Sequence, residues 1–140
     1  MSLIVKPNVG VGSIDFGMTP DEVRNILGVH YKSFKRTPSA AFPCDYFESL
    51  GIFVYYKQPG KVEALEFAEP STPLFENISL LTLSFINLKS LLLKHDKNLE
   101  VDEDSLTSFK LGVGAYAPEA AEQPESKIES IIVFEKGYYD

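Results

Sequence analysis

The sequence predicts an α+β fold, an antiparallel sheet of about six to eight strands built from two tandem α-β-β units, with both main helices on one face of the sheet. Three observations predict it. One helix start carries a full set of terminal signals and a second carries a cap and a basic end, short apolar runs bounded by turn residues follow each of them, and the second half of the chain repeats the order of the first. With 140 residues, 44% apolar and 24% charged, the chain has the size and composition of one globular domain spanning 1–140.

Taken in order, Leu3 to Lys6 is a weak strand signal, and Gly10-Val11-Gly12-Ser13 reads as a turn. The first helix starts at Thr19 as N-cap, with Pro20 at the first helical position, where its missing N–H costs nothing, and Glu22 completing a capping box. Val23, Ile26 and Leu27 form the predicted buried stripe, and Gly28 is the left-handed C-cap. Asp45 to Glu48 is a weak strand. Gly51 to Tyr56 is apolar on both alternating faces, as in a central strand, and Lys57-Gln58-Pro59-Gly60 turns it into Val62 to Phe67. Ile78 to Leu81 is another weak strand. The second helix runs from Ser84 as cap through Phe85, Leu88, Leu91 and Leu92 to Lys94 and His95, whose basic groups suit the negative end of the helix dipole. Leu106 to Lys110 is a weak strand. Leu111 to Tyr116 and Ile128 to Phe134 form a last pair, joined by a loop over Pro118 to Ser126 rich in Pro, Ala and Glu.

The two sets of elements match each other. A shift of 65 lays Thr19 on Ser84, Val23 on Leu88, Ile26 on Leu91 and Leu27 on Leu92. Lys61 to Leu65 resembles Lys127 to Ile131 at a shift of 66, and Gly51 to Tyr55 resembles Gly112 to Tyr116 at 61. The spacing predicts an internal pseudo-repeat, 14–70 and 78–136. One such unit cannot cover its own apolar face, so the two should share one sheet.

Charge narrows the function. Residues 1–70 hold seven Lys/Arg against eight Asp/Glu, and residues 71–140 hold six against twelve, within a formal net charge of -7. A surface of that sign repels nucleic acid and anionic lipid and steers basic proteins inward. No apolar run is long enough to span a membrane, and the first residues lack the charged region, apolar core and cleavage site of an export signal, so a cytoplasmic location is expected.

No motif carries catalysis, a metal or a cofactor. His30 reads as a loop residue, His95 as a helix-end charge, and the single cysteine, Cys44, as a small buried hydrophobe. Neither glycine-rich stretch has the phosphate-binding spacing, and Val101 to Ser105 lacks the glycine and distal glutamate of a calcium loop. What remains is charge. Glu100, Asp102, Glu103 and Asp104 crowd five positions, Glu119, Glu122 and Glu125 follow, and between Glu100 and Glu129 eight carboxylates face two lysines. Repulsion among them is relieved by a cationic partner. Glu100, Asp102, Glu103, Asp104, Glu119 and Glu122 are therefore the predicted partner-binding residues. A reading of another class is a small α+β enzyme or ligand-binding domain, its site assembled from sequence-distant Tyr, Glu and His residues.

The opening Val9 to Gly28 and the closing Gly112 to Tyr116 with Ile128 to Asp140 resemble small bacterial immunity proteins, including those of contact-dependent growth-inhibition systems. The stretch Phe16 to Gly28 is also similar to the helix start of small outer-membrane assembly lipoproteins and of tandem-repeat β-lactamase inhibitor proteins, which marks it as a scaffold signature. The lipoproteins need an export signal and a cysteine near the start, and the inhibitors are secreted and disulfide-bonded, whereas the one cysteine here is at 44. The resemblance implies stoichiometric neutralisation of a basic toxin domain, typically a nuclease, in the cytoplasm, sometimes by a toxin strand added to the sheet.

Overall fold

The computed structural model describes residues 2–40 and 42–140. Three two-residue strands come first, β1 (Val5–Lys6), β2 (Gly10–Val11) and β3 (Ile14–Asp15), in a small antiparallel sheet. The strand expected over Leu3 to Lys6 is thus confined to its last two residues. Of the glycine-rich stretch, Gly10 and Val11 lie in β2 and only Gly12 and Ser13 turn. Val5, Val11 and Ile14 are buried in the main core, so this sheet closes one side of the domain.

Helix α1 (Pro20–Leu27) has the predicted termini. The Glu22 N–H donates to Thr19 Oγ1 at 3.3 Å, Glu22 Oε1 accepts from the Thr19 N–H at 3.1 Å, and Gly28 closes the helix at φ 62°. Val23 and Leu27 are buried as expected, but Ile26 is 36% exposed. Successive residues turn by about 100°, so the line of contact through Val23 and Leu27 leaves Ile26 at its margin. The buried stripe is narrower than predicted.

Four strands follow: β4 (Lys32–Phe34), β5 (Cys44–Phe47), β6 (Ile52–Lys57) and β7 (Lys61–Phe67), each antiparallel to the one before, with a 3-10 turn at Glu48–Leu50. A small hairpin, β8 (Leu74–Phe75) with β9 (Ile78–Ser79), and a 3-10 turn at Leu80–Thr82 lead to α2 (Phe85–His95). The strand expected to Leu81 therefore ends at Ser79. Ser84 caps α2 by accepting the Asn87 N–H at 3.2 Å, and Phe85, Leu88, Leu91 and Leu92 are all buried. Then come β10 (Glu100–Val101), β11 (Ser105–Ser108), β12 (Val113–Tyr116) and β13 (Ser130–Phe134), again a meander.

These eight strands form one antiparallel sheet in the order β10-β11-β12-β13-β7-β6-β5-β4, joined where β13 meets β7. Each helix precedes four sheet strands, where two were predicted. The extra ones include β4 and β10, short exposed edge strands with no buried face to print an apolar alternation. Side chains alternate across the sheet. One face presents Ile52, Val54, Leu65, Phe67, Ile131 and Val133, which share a single core with the buried residues of both helices, so α1 and α2 lie against the same face. Tyr55, Ala64 and Phe134 point to the opposite face, which no helix among the described residues covers.

Candidate functional site

On the uncovered face the pairing register draws one continuous row across all eight strands: Glu100, Thr107, Gly114, Ile132, Glu66, Phe53, Tyr46 and Lys32, each opposite the next. At the β4 side the row is filled, with Tyr46 and Phe53 stacked at 4.1 Å and 13°. At the β10 side it is hollow, because Gly114 contributes no side chain. One step along the strands, Tyr116 lies between Ser105 and Ser130 in a parallel row. On the other flank Phe109, Phe134 and Tyr139 pack edge to face, with centroids 5.0 to 6.1 Å apart, held there by the C-terminal turn 137–140. The gap between the flanks is an open slot of about 460 Å³ over Thr107, Gly114 and Ile132. Its aromatic rims are well exposed: Tyr116 by 42%, Phe109 by 51% and Tyr139 by 56%.

One carboxylate, Glu66 on β7, is in the wall of the slot; Glu100, on the edge strand, lies one strand beyond Thr107 and outside that wall. Glu66 accepts a hydrogen bond from the buried Tyr55 hydroxyl, and burial first, then this bond, push the Tyr55 phenol well above its ordinary range. The Arg36 guanidinium lies 3.8 Å over the Tyr55 ring and donates to the Tyr138 hydroxyl at 3.0 Å, so it is already held by aromatic partners.

The predicted acidic residues gather mostly at the same end. Glu100 is exposed on the edge strand opposite Thr107; Asp102, Glu103 and Asp104 make the β10–β11 turn. The Asp104 carbonyl accepts the Ala117 N–H at 2.8 Å, which brings the 117–122 loop alongside that turn. Glu119 lines a second open cleft of about 710 Å³, with Glu69, Ser71, Thr82, Lys127 and Glu129 among its other walls. Glu122 lies farther along the loop, exposed. Among the described residues none of these six carboxylates is in an ion pair, whereas Asp15, Asp45, Glu69 and Glu135 are each paired with a cation. Within the same stretch Lys127 is 3.6 Å from Glu69, and Lys110 donates to the His95 carbonyl.

Other titratable groups are placed elsewhere. Neither cleft is lined by a histidine: His30 is an exposed loop residue, and His95, at the end of α2, has Nε2 3.1 Å from Glu76. Cys44 is buried, which raises its thiol. Among the described residues no group of three His, Cys, Asp or Glu side chains converges as metal ligands would, and no helix is long and apolar enough to cross a membrane.

One polar cluster escaped the sequence reading. Asp45, 0% exposed on the helix-facing side of β5, accepts from Arg24 Nε at 2.8 Å and Nη2 at 2.9 Å, from Tyr56 at 2.8 Å and from Ser33. Burial alone would raise its carboxyl; the bonds from Arg24, Ser33 and Tyr56 and the Arg24 charge outweigh burial and hold it below the ordinary aspartate value. Arg24 also lies 4.4 Å over the Tyr31 ring. With every acceptor taken, this cluster pins α1 to β4, β5 and β6 and presents nothing to a ligand. Its one signal was alternation, which sets Asp45 on the same face as buried Phe47.

Compared with protein-family models, with characterised proteins and with solved structures, the chain matches none.

Proposed function

We propose that this protein neutralises a basic toxin domain, of the nuclease kind, by binding it one to one in the bacterial cytoplasm, as immunity proteins of growth-inhibition systems do. The observation that carries the reading is the unpaired acidic margin: Glu100, Asp102, Glu103 and Asp104 lie at one end of a sheet face that no helix among the described residues covers, with Glu119 and Glu122 on the adjoining loop. A nuclease must approach phosphates and is therefore basic, and a margin of solvated carboxylates speeds its encounter. The resemblance of Val9 to Gly28 and of the closing segments to immunity proteins supports the same reading.

The fold supports it as a tandem unit. Phe53 opposite Glu66 in the first half corresponds to Gly114 opposite Ile132 in the second, at the shifts of 61 and 66 that relate the two halves in sequence. Across the seam, Leu65 opposite Val133 and Phe67 opposite Ile131 exchange places under the shift of 66. A duplicated unit of one helix and four strands, turned about an approximate two-fold between β7 and β13, gives a broad open sheet face larger than either half offers, which suits a protein-sized partner.

The test starts from the neighbouring genes: where one encodes a secreted protein with a basic C-terminal domain, that domain is titrated with this protein. The domain's nuclease activity should fall to nothing at one equivalent, and association should slow steeply with added salt, while dissociation changes less. Asp102→Lys with Asp104→Lys should lower the association rate and leave folding intact. If the double reversal leaves both rates and inhibition unchanged, the margin is a solubilising surface and the reading fails.

A further inference from the structure

Resting on that reading, we infer that the slot over Gly114 is the anchor point for an arginine side chain of the basic protein partner. The shape comes from the register. Gly114 is the one position in the row from Glu100 to Glu66 without a side chain, and Thr107 and Ile132 on either side of it floor a trough that crosses the strands. A Cβ on Gly114 would sit 3.0 Å from Ile132 Cγ2, so glycine keeps the floor low. The flanks are π surfaces, Tyr116 on one side and the Phe109–Tyr139 pair on the other. The volume, about 460 Å³, takes one long side chain with part of its backbone.

Charge selects the occupant. Glu66, the carboxylate in the wall, has no cation within ion-pair distance among the described residues, nor has Glu100, one strand beyond the Thr107 end. Glu66 is satisfied at Oε1 by Tyr55. Arg36 also borders the slot, but its guanidinium is committed to the Tyr55 ring and the Tyr138 hydroxyl. Asp102, Glu103 and Asp104 extend the negative field past the Glu100 end. A planar, weakly hydrated cation that stacks on aromatic faces and forks onto carboxylates meets all of these at once; a lysine ammonium meets the charge but not the planes. The hydroxyls of Ser105, Thr107 and Ser130 supply further acceptors at the floor.

The experiment uses the full chain and a blocked nonapeptide with one central arginine in a Gly/Ser background, alongside the same peptide bearing lysine, citrulline or tryptophan, followed by amide chemical shifts. The arginine peptide should move the Thr107, Gly114 and Tyr116 amides saturably and bind at least tenfold more tightly than the others. Thr107→Arg, which fills the slot from within, should abolish those shifts, as should Tyr116→Ala if the stack matters; Asp102→Lys with Asp104→Lys should weaken them only a few-fold. Circular dichroism checks that each variant is folded. Shifts confined to residues 100–104 and 117–122 would overturn the slot and leave the acidic-margin reading standing. No shift anywhere would count against both. Tighter binding of the tryptophan peptide would overturn the assignment to arginine, and slot shifts that follow protein concentration without peptide would assign the face to a second copy of this chain and overturn it too.

Discussion

Replacing Asp45 by Asn isolates one buried charge. The carboxylate is 0% exposed and accepts four hydrogen bonds, two of them from a single guanidinium. An amide of the same shape keeps one acceptor oxygen but aims an N–H₂ at donors, and it leaves the Arg24 charge without its partner. Breaking a buried pair from one side costs about 3–5 kcal/mol. Arg24 is still 28% exposed, so water can reach the abandoned guanidinium, and the lower end, about 3 kcal/mol, is the expected loss. For 140 residues at about 2.1 cal/mol/K each, the unfolding entropy is about 0.3 kcal/mol/K, which puts the fall in Tm near 10 °C. Urea denaturation followed by circular dichroism at pH 7 measures it. The pH dependence fixes the cause. Because the folded carboxyl is held below its unfolded value, the pair's contribution is fully present above about pH 4 and drains away as pH falls through the lower, folded value. The gap between wild type and Asp45→Asn should therefore close in acid. A loss under about 1 kcal/mol at neutral pH, or a gap that stays constant into strong acid, would refute the argument that charge pairing pins α1 to the sheet.

Two further substitutions test the packing. Leu92→Ala, at a fully buried position of α2, should cost about 2–5 kcal/mol in the same assay, whereas Ile26→Ala on the margin of α1 should cost under about 1 kcal/mol; similar losses at both would mean that the α1 stripe is as wide as its sequence suggests. Gly51, at φ 67°, has the Ala68 carbonyl only 2.2 Å from where a Cβ would be, so Gly51→Ala should combine left-handed strain of about 1–3 kcal/mol with displacement of the end of β7, and an unchanged unfolding midpoint would show that the turn relaxes freely.

Both helices were legible because their signals are local. Thr19, Pro20, Glu22 and Gly28 each act within one turn of the chain, and so does Ser84. The strands β6, β7 and β13 were legible because burial puts Val, Ile, Leu and Phe there, and β12 because its buried Val113 and Ala115 follow a turn. Lys32–Phe34 and Glu100–Val101 were not, since two or three exposed residues of mixed polarity on an edge strand carry no period. The acidic residues were visible as charges but not as a face. The slot was invisible because it exists only through register: Thr107, Gly114, Ile132 and Glu66 come from four strands, and Phe109 and Tyr139 are thirty positions apart until the C-terminal turn folds back.

The seam between β7 and β13 also bears on how the chain reaches this structure. Within each meander every strand pairs with its neighbour in sequence, so either half closes through comparatively local contacts, whereas the seam joins Phe67 to Ile131 across the whole intervening unit. Until it closes, the edge of β7 away from β6 has its hydrogen-bonding groups unmet over Ala64 to Phe67. A ribosome releases the first half before the second exists, and for that interval Leu65 and Phe67 border an open template for other nascent chains. The arrival of β13 covers that edge, so completion of the second meander is the step that removes the open template of the first.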